Sequence, residues 1–214
     1  FCERLLRRQV FSGRTPHHVG LIVDGNRRYA VAKGLAKHSE GHKLGSDKLE
    51  DFLSWCLDLN IKIVTLYGFS TENHNRSEEE VSEVMEIILK KFRTLQKDPV
   101  IKEAGVKNKV IGQRRSLSQE MNEEIDKVER MTEDHTKFQL NIALSYGGRA
   151  EIIDAVKEVA SKVKCGDLRV DDIDENLFAK HLYTEGMPDP DLIIRTSGEE
   201  RLSGFLLWQS AYPE

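Results

Sequence analysis

Apolar runs of strand length alternate along this chain with longer stretches in which apolar residues recur every three or four positions. Residues 18–23 (HVGLIV), 62–67 (KIVTLY), 107–111 (KNKVI), 138–144 (FQLNIAL) and 191–194 (DLII) read as five strands. They are β-branched and largely apolar without strict alternation, as a sheet covered on both faces requires. Between them the period changes. Over residues 47–58 the apolar positions are Leu49, Phe52, Leu53, Cys56 and Leu57, one helical stripe. Ser77-Glu78-Glu79-Glu80 predicts a capping box, in which the Ser77 hydroxyl takes an orphan N–H and Glu80 reaches back. The helix it starts carries Val81, Val84, Met85, Ile88, Phe92 and Leu95 on one stripe. Ile152, Ile153, Val156, Val159, Ala160 and Val163 form another. A weaker helix covers about 118–131, and a short one follows Asp174. Strand–helix alternation predicts βαβ units. The fold class is α/β, a single domain with a mostly parallel central sheet flanked by helices.

Composition narrows the class of function. Lys plus Arg is 32 and Asp plus Glu is 36, a net charge of −4, which argues against a general nucleic-acid binder. With 39% hydrophobic residues in 214, the chain can bury a full core without staples and is not a disordered segment. No uncharged apolar run approaches the roughly 18 residues of a membrane span, and no signal peptide opens the chain. Cys2, Cys56 and Cys165 are too far apart for a disulfide framework or a zinc site. A reduced, cytoplasmic enzyme-sized domain is expected, with residues 1–15 as a helical extension before a catalytic domain over 16–214.

In open parallel sheets, ligands bind beyond the carboxyl ends of the strands. The first strand is followed by Asp24-Gly25-Asn26-Arg27-Arg28. The second is followed by Ser70-Thr71-Glu72-Asn73 and Arg76. The fourth leads to Tyr146-Gly147-Gly148-Arg149, and the fifth to Arg195-Thr196-Ser197-Gly198-Glu199, Arg201 and Ser203. Taken singly, Asp-Gly-Asn is more often a turn or a helix cap, and Arg195 could simply pair with Asp189 or Glu199. Together, four strand ends deliver arginines, small residues and acids to one rim, which describes an anion site. The carboxylates of Asp24 and Glu199 in such a site point to Mg2+, which takes one or two carboxylates plus substrate phosphates. The expected ligand is a diphosphate or two of them. The known phosphate motifs do not account for it: neither G-x-x-x-x-G-K-[ST] nor, after the first strand, G-x-G-x-x-G is present.

The segments HVGLIVDGNRRYA (18–30), Gly41-His42, TLYGFSTENHNRS (65–77), LNIALSYGGR (140–149) and DLIIRTSGEERLSGFLLWQSAYPE (191–214) resemble the cis-prenyltransferases, in the right order from about residue 16 to the last. They look most like archaeal members. The resemblance implies a hydrophobic tunnel between two helices and the sheet, a homodimer, and a need for Mg2+. It implies elongation of an allylic prenyl diphosphate primer with isopentenyl diphosphate, each step making a Z double bond. Asp24 matches the essential carboxylate that holds Mg2+, and Glu214 the second metal position. Gly25, Asn26, Arg27 and Arg28 would cradle the primer diphosphate with His42 assisting. Arg195, Arg201 and Ser203 would hold isopentenyl diphosphate. Asn73 matches the proposed proton acceptor. Ser70, Thr71, Glu72 and Arg76 match a mobile segment over the site. Tyr29, His74 and Leu202 are counted with the substrate-binding residues. Gly68 and Phe138 match positions that affect tunnel depth, and the bulk of Phe138 is expected to limit product length. The product would belong to the membrane, giving the enzyme at most peripheral contact with it.

The chain departs from the family pattern at His38, where many relatives place an arginine, and at His74, where an aromatic is usual. Gln113 replaces an Asp. The sequence ends at Glu214, so a C-terminal tail is expected to be missing. Two other readings stay open: transfer of the prenyl group to a small hydroxyl acceptor, and a non-catalytic partner subunit of a two-subunit synthase. The second fits poorly with the retained Asp24, Asn26, Arg28, Arg195 and Arg201.

Overall fold

The computed structural model describes residues 13–35, 38–97 and 105–212. Most of the expected N-terminal extension, Cys2, the His38 side chain and Glu214 lie outside the described residues.

Five strands form one sheet: β1 (His18–Ile22), β2 (Ile63–Ser70), β3 (Val106–Ile111), β4 (Phe138–Tyr146) and β5 (Leu192–Arg195). Their order is β3-β4-β2-β1-β5, and every neighbouring pair is parallel. All carboxyl ends therefore open on the same rim. β2 and β4 run past their predicted ends. The ladder between them shifts register around Gly68, where Tyr67 pairs Ala143 but Phe69 pairs Leu144. This irregularity is invisible to a period-2 reading.

The described residues form six α-helices: α1 (Asn26–Ala32), α2 (His38–Asp58), α3 (Glu78–Leu95), α4 (Gln119–Met131), α5 (Gly148–Cys165) and α6 (Glu175–Ala179). Ser77, Ser118 and Asp174 cap three of them by accepting N–H bonds from the third residue on. The reciprocal half of the predicted capping box at Ser77 does not form. Glu80 instead takes Arg76 at 2.9 Å and faces Arg27 at 3.7 Å, because charge-assisted pairing outcompetes a lone N–H. α1 and the first nine residues of α2 escape the sequence pattern, since Gly41, Gly45, Ser46 and the Asp-Gly-Asn start all read as turn chemistry. The predicted stripe on α5 also divides. Val159 is buried, together with Ala155 from outside the stripe, whereas Ile153 and Val156 are exposed.

One face of the sheet carries α2 over Val19, Leu21, Val64, Leu66, Phe138 and Leu140. On the same side α3 and α4 cover Phe69, Val110 and Leu144. The other face packs Ile22, Tyr67, Ala143 and Tyr146 against Phe205 and Leu206.

A buried polar row ties the sheet together near its amino ends. His18 Nδ1 lies 2.7 Å from the Pro188 carbonyl and its Nε2 2.7 Å from Thr65 Oγ1. A carbonyl only accepts, so Nδ1 carries the proton and Nε2 accepts from the Thr65 hydroxyl, which itself accepts from Asn141 Nδ2 at 3.0 Å. Protonating Nε2 would leave Thr65 with two donors facing one oxygen. Burial accordingly pushes the His18 pKa down, against the raising effect of the Pro188 carbonyl. A histidine with a depressed folded pKa costs stability as pH falls below its unfolded value. Stability should decline below about pH 6.5 by as much as about 1.4 kcal/mol per pH unit from this group. Urea unfolding at pH 7.0, 6.0 and 5.0 checks this: the slope should flatten in His18→Gln, whose uncharged amide has nothing to titrate.

Candidate active site

Asp24 sits just beyond β1 in a bent strand end. Its N–H donates to Thr196 Oγ1 at 2.8 Å, and the Thr196 hydroxyl donates back to the Asp24 carbonyl at 2.6 Å. The carboxylate is thereby held across the gap between β1 and β5. Its Oδ2 accepts from Arg195 Nη2 at 2.7 Å and Nε at 3.2 Å, and from the Ser197 hydroxyl at 3.1 Å. Its Oδ1 accepts from the Gly25 N–H at 2.6 Å. Burial alone would raise the Asp24 pKa, but the Arg195, Gly25 and Ser197 hydrogen bonds outweigh it and hold the carboxyl below its ordinary value. Glycine is required at 25 twice over: its φ is 96°, and a Cβ there would lie 2.9 Å from the Ser197 Cβ.

From Asp24 the charges alternate outward. Arg195 Nη1 donates to Ser203 Oγ at 2.8 Å and to the Arg201 carbonyl. Arg28 reaches both Asp24 at 3.5 Å and Glu199 at 3.1 Å, and Glu199 also takes Arg201 at 2.7 Å. With the pairing of Arg27 and Arg76 to Glu80, five guanidiniums share three carboxylates. The rim thus carries a local cationic excess on a chain of net charge −4. The acids keep the arginine forks aimed inward without neutralising them.

The β2 rim ends in a turn over Thr71–Asn75. Here the reciprocal capping box does form: Ser70 Oγ accepts from the Asn73 N–H at 3.2 Å, and Asn73 Oδ1 accepts from the Ser70 N–H at 3.0 Å. His74 Nε2 lies 2.7 Å from Ser145 Oγ, and its ring stands edge-on to Phe69 at 4.9 Å.

Behind the rim lies a cavity of about 1310 Å³, larger than the roughly 300–1,000 Å³ of an ordinary small-molecule pocket. Its mouth is lined by Asp24, Gly25, Asn26, Arg27, Arg28, His42, Ser70, Glu72, Asn73, Arg76, Arg195, Glu199, Arg201 and Ser203. Its body is apolar: Leu49 and Leu53 from α2, Ile88, Phe92 and Leu95 from α3, and Leu140, Ile142 and Leu144 from β4. Both helix stripes read from the sequence thus contribute to the wall, though Phe52 and Cys56 belong to the packed core instead. Gly68 lines the cavity. Phe138 does not: it stands one step past Leu140 on the same face of β4, buried with Val106.

Four expected site residues fall elsewhere. Tyr29 is half exposed on α1, with the Lys33 ammonium 5.7 Å from its ring. Thr71 packs beneath Gly147, whose Cβ would come within 2.5 Å of its hydroxyl. His74 is turned to Ser145, and the Leu202 carbonyl accepts from the Phe205 N–H at 3.0 Å. Sequence reasoning in turn missed Glu80, which it spent on a cap, and Gly45. A Cβ on Gly45 would come within 2.4 Å of Asn26 Oδ1. The signal for Gly45 was present in Gly41-x-x-x-Gly45, one helical turn apart, but lies in a helix start that the pattern hides.

Residues 22–214 match the family model described as putative undecaprenyl diphosphate synthase. A Methanopyrus kandleri protein named tritrans,polycis-undecaprenyl-diphosphate synthase (geranylgeranyl-diphosphate specific) is 50% identical over 212 residues, 99% of this chain and 78% of that protein. A Thermus thermophilus isoprenyl transferase is 49% identical over 216 residues, 99% of this chain and 82% of its own. Among solved structures, lavandulyl diphosphate synthase from Lavandula x intermedia, in complex with dimethylallyl diphosphate, superposes with a TM-score of 0.89. It is 37% identical and covers 94% of this chain and 85% of its own. The five-stranded parallel sheet, the charged rim and the apolar cavity behind it therefore belong to a member of the cis-prenyltransferase family.

Proposed function

We propose that this chain condenses isopentenyl diphosphate onto an allylic prenyl diphosphate primer and lengthens it with Z double bonds. The observation that carries this reading is the continuity of the cavity, with an arginine-rich, hydroxyl-rich mouth for diphosphates opening straight into an apolar body suited to a lipid tail. Arg27, Arg28, Asn26 and His42 take the primer diphosphate. Arg195, Arg201 and Ser203 take that of isopentenyl diphosphate. In the reaction the allylic C–O bond breaks and diphosphate leaves with the electron pair. The terminal alkene carbon of isopentenyl diphosphate attacks the allylic carbon, and a proton is lost from its C2. The apolar wall keeps the allylic cation from water. Asn73 edges the mouth with its Oδ1 already committed to the Ser70 N–H. A neutral carboxamide is a weak base, so Asn73 orients the departing C–H and the proton passes to a diphosphate oxygen.

Mg2+ is the proposed cofactor. The donors at the mouth, Asp24, Glu199 and Ser203, are oxygens of the kind it binds. Among the described residues no group of three or more His, Cys, Asp or Glu could hold a metal alone, which suits an ion bound jointly with substrate phosphates. Asp24 would be one ligand, and Glu214, outside the described residues, the second. When bound, Mg2+ neutralises charge developing on the leaving diphosphate.

We place the enzyme in the cytoplasm as a homodimer, with Ile153 and Val156 on the outer face of α5 as an apolar strip available to a second copy. Its lipid product is its link to the membrane, since no helix among the described residues is long and apolar enough to cross one. Purified enzyme given labelled geranylgeranyl diphosphate and Mg2+ should release polyprenyl diphosphate only when isopentenyl diphosphate is added. Product formed from the primer and a small alcohol alone would overturn the reading.

Chain length follows from the cavity floor. Leu140→Trp should shorten the product distribution by filling the lowest β4 position of the wall. Phe138→Ala should lengthen it by opening space behind Leu140. Chromatography of the dephosphorylated products reads both, and unchanged distributions in the two variants would separate product length from this cavity.

A further inference from the structure

We propose that Tyr67 is a positioning residue for the half-site of Arg195, Arg201 and Ser203, its hydroxyl fixing the backbone that presents Ser203. This rests on the reaction proposed above. Tyr67 lies on β2, buried under the rim, with its ring stacked on Phe205 at 4.8 Å and 22° and edge-on to Tyr146 at 5.9 Å. Its hydroxyl reaches two carbonyls, Ser203 at 3.2 Å and Tyr146 at 3.3 Å. That bond joins the end of β4 to the loop carrying the half-site.

The loop needs such a clamp. Ser203 has φ 49°, Gly204 φ 81° and Leu206 φ 45°. Side-chain-bearing residues seldom hold that conformation unless the surroundings impose it. Several restraints act here, beginning with the Phe205 N–H, which closes the turn onto the Leu202 carbonyl at 3.0 Å. Phe205 and Leu206 are fully buried, the Gly148 N–H donates to the Gly204 carbonyl at 2.7 Å, and the Tyr67 hydroxyl takes the Ser203 carbonyl. The last acts directly on the backbone of the residue whose side chain faces the rim. Ser203 Oγ accepts from Arg195 Nη1, whose Nε and Nη2 hold Asp24. The Tyr67 hydroxyl is thus connected through one residue to the guanidinium at the centre of the site. Burial raises its pKa and keeps it a neutral donor.

Tyr67→Phe keeps both ring contacts and removes only the hydroxyl. We expect the KM for isopentenyl diphosphate to rise roughly tenfold, the primer KM to stay within about twofold, and the thermal midpoint to move little. Equal shifts in both KM values, or none in either, would overturn the proposal. Ser203→Gly removes the side chain being presented and relaxes the strained position. In that background Tyr67→Phe should add little, whereas full additivity of the two changes would contradict a shared path. A wild type that makes no product with isopentenyl diphosphate sinks the proposed reaction instead. The positioning role is then read from the affinity for inorganic diphosphate, which must fall in Tyr67→Phe and which, if equal in the two proteins, overturns it.

Discussion

Asp24→Ala should lower kcat by roughly 10³-fold or more while the protein remains folded. Three roles converge on this carboxylate. It accepts from Arg195, Ser197 and the Gly25 N–H. It shares Arg28 with Glu199. It is also the proposed metal ligand at the point where leaving-group charge develops. Binding of the primer should respond far less. Arg27 and Arg28 keep their positions on α1, and the freed Arg195 and Arg28 lose an internal anion that competes with the diphosphate. A fall in kcat with a primer KM changed by less than about tenfold is the signature of an interaction made mainly in the transition state. Steady-state kinetics with circular dichroism as a fold control reads it. Retained turnover would remove Asp24 from the mechanism, and with it the charge chain that organises the rim. Asp24→Asn separates shape from charge: the amide keeps the size of the side chain but cannot pair Arg195 and Arg28 as an anion, so its activity should stay near that of Asp24→Ala.

What the sequence made legible follows from periodicity. Five apolar runs became five strands because a two-sided parallel sheet needs uninterrupted apolar residues, and the helix stripes of α2 and α3 supplied the cavity wall. The rim was readable because parallel strands all end on one side, so whatever follows them must meet. Three things were not readable. Glu80 looked like a cap partner because local spacing cannot register Arg27, which arrives from a distant element. Phe138 looked like the floor because sequence places it on the right face of β4 but not at its depth relative to Leu140. α1 and the start of α2 were not marked as helices, because Asp24-Gly25-Asn26 reads as a turn or cap and the glycines that let two helices touch closely are those that discourage helices.

That close approach makes Gly41→Ala a strongly destabilising change for a single methyl group. Glycine to alanine inside a helix would ordinarily gain up to about 1 kcal/mol. At Gly41 the new Cβ would fall 2.3 Å from the Asn26 carbonyl oxygen and 3.0 Å from the Ala30 Cβ. The first of these is backbone and cannot rotate away. Overpacking of this kind costs about 3 kcal/mol at the upper end of its usual range, so the clash wins and a net loss of about 2 kcal/mol is expected by urea unfolding. Gly45→Ala differs in kind. Its Cβ meets the Asn26 side chain, 2.4 Å from Oδ1 and 2.8 Å from Nδ2, and a side chain can swing aside. Stability should then change by less than about 1 kcal/mol, while Asn26 is driven from the mouth it lines and the primer KM rises. The pair distinguishes two reasons for a glycine one turn apart on the same helix: one admits the backbone of α1, the other leaves room for a functional side chain. If Gly45→Ala were destabilising and kinetically silent, Asn26 would be packing rather than part of the diphosphate cradle.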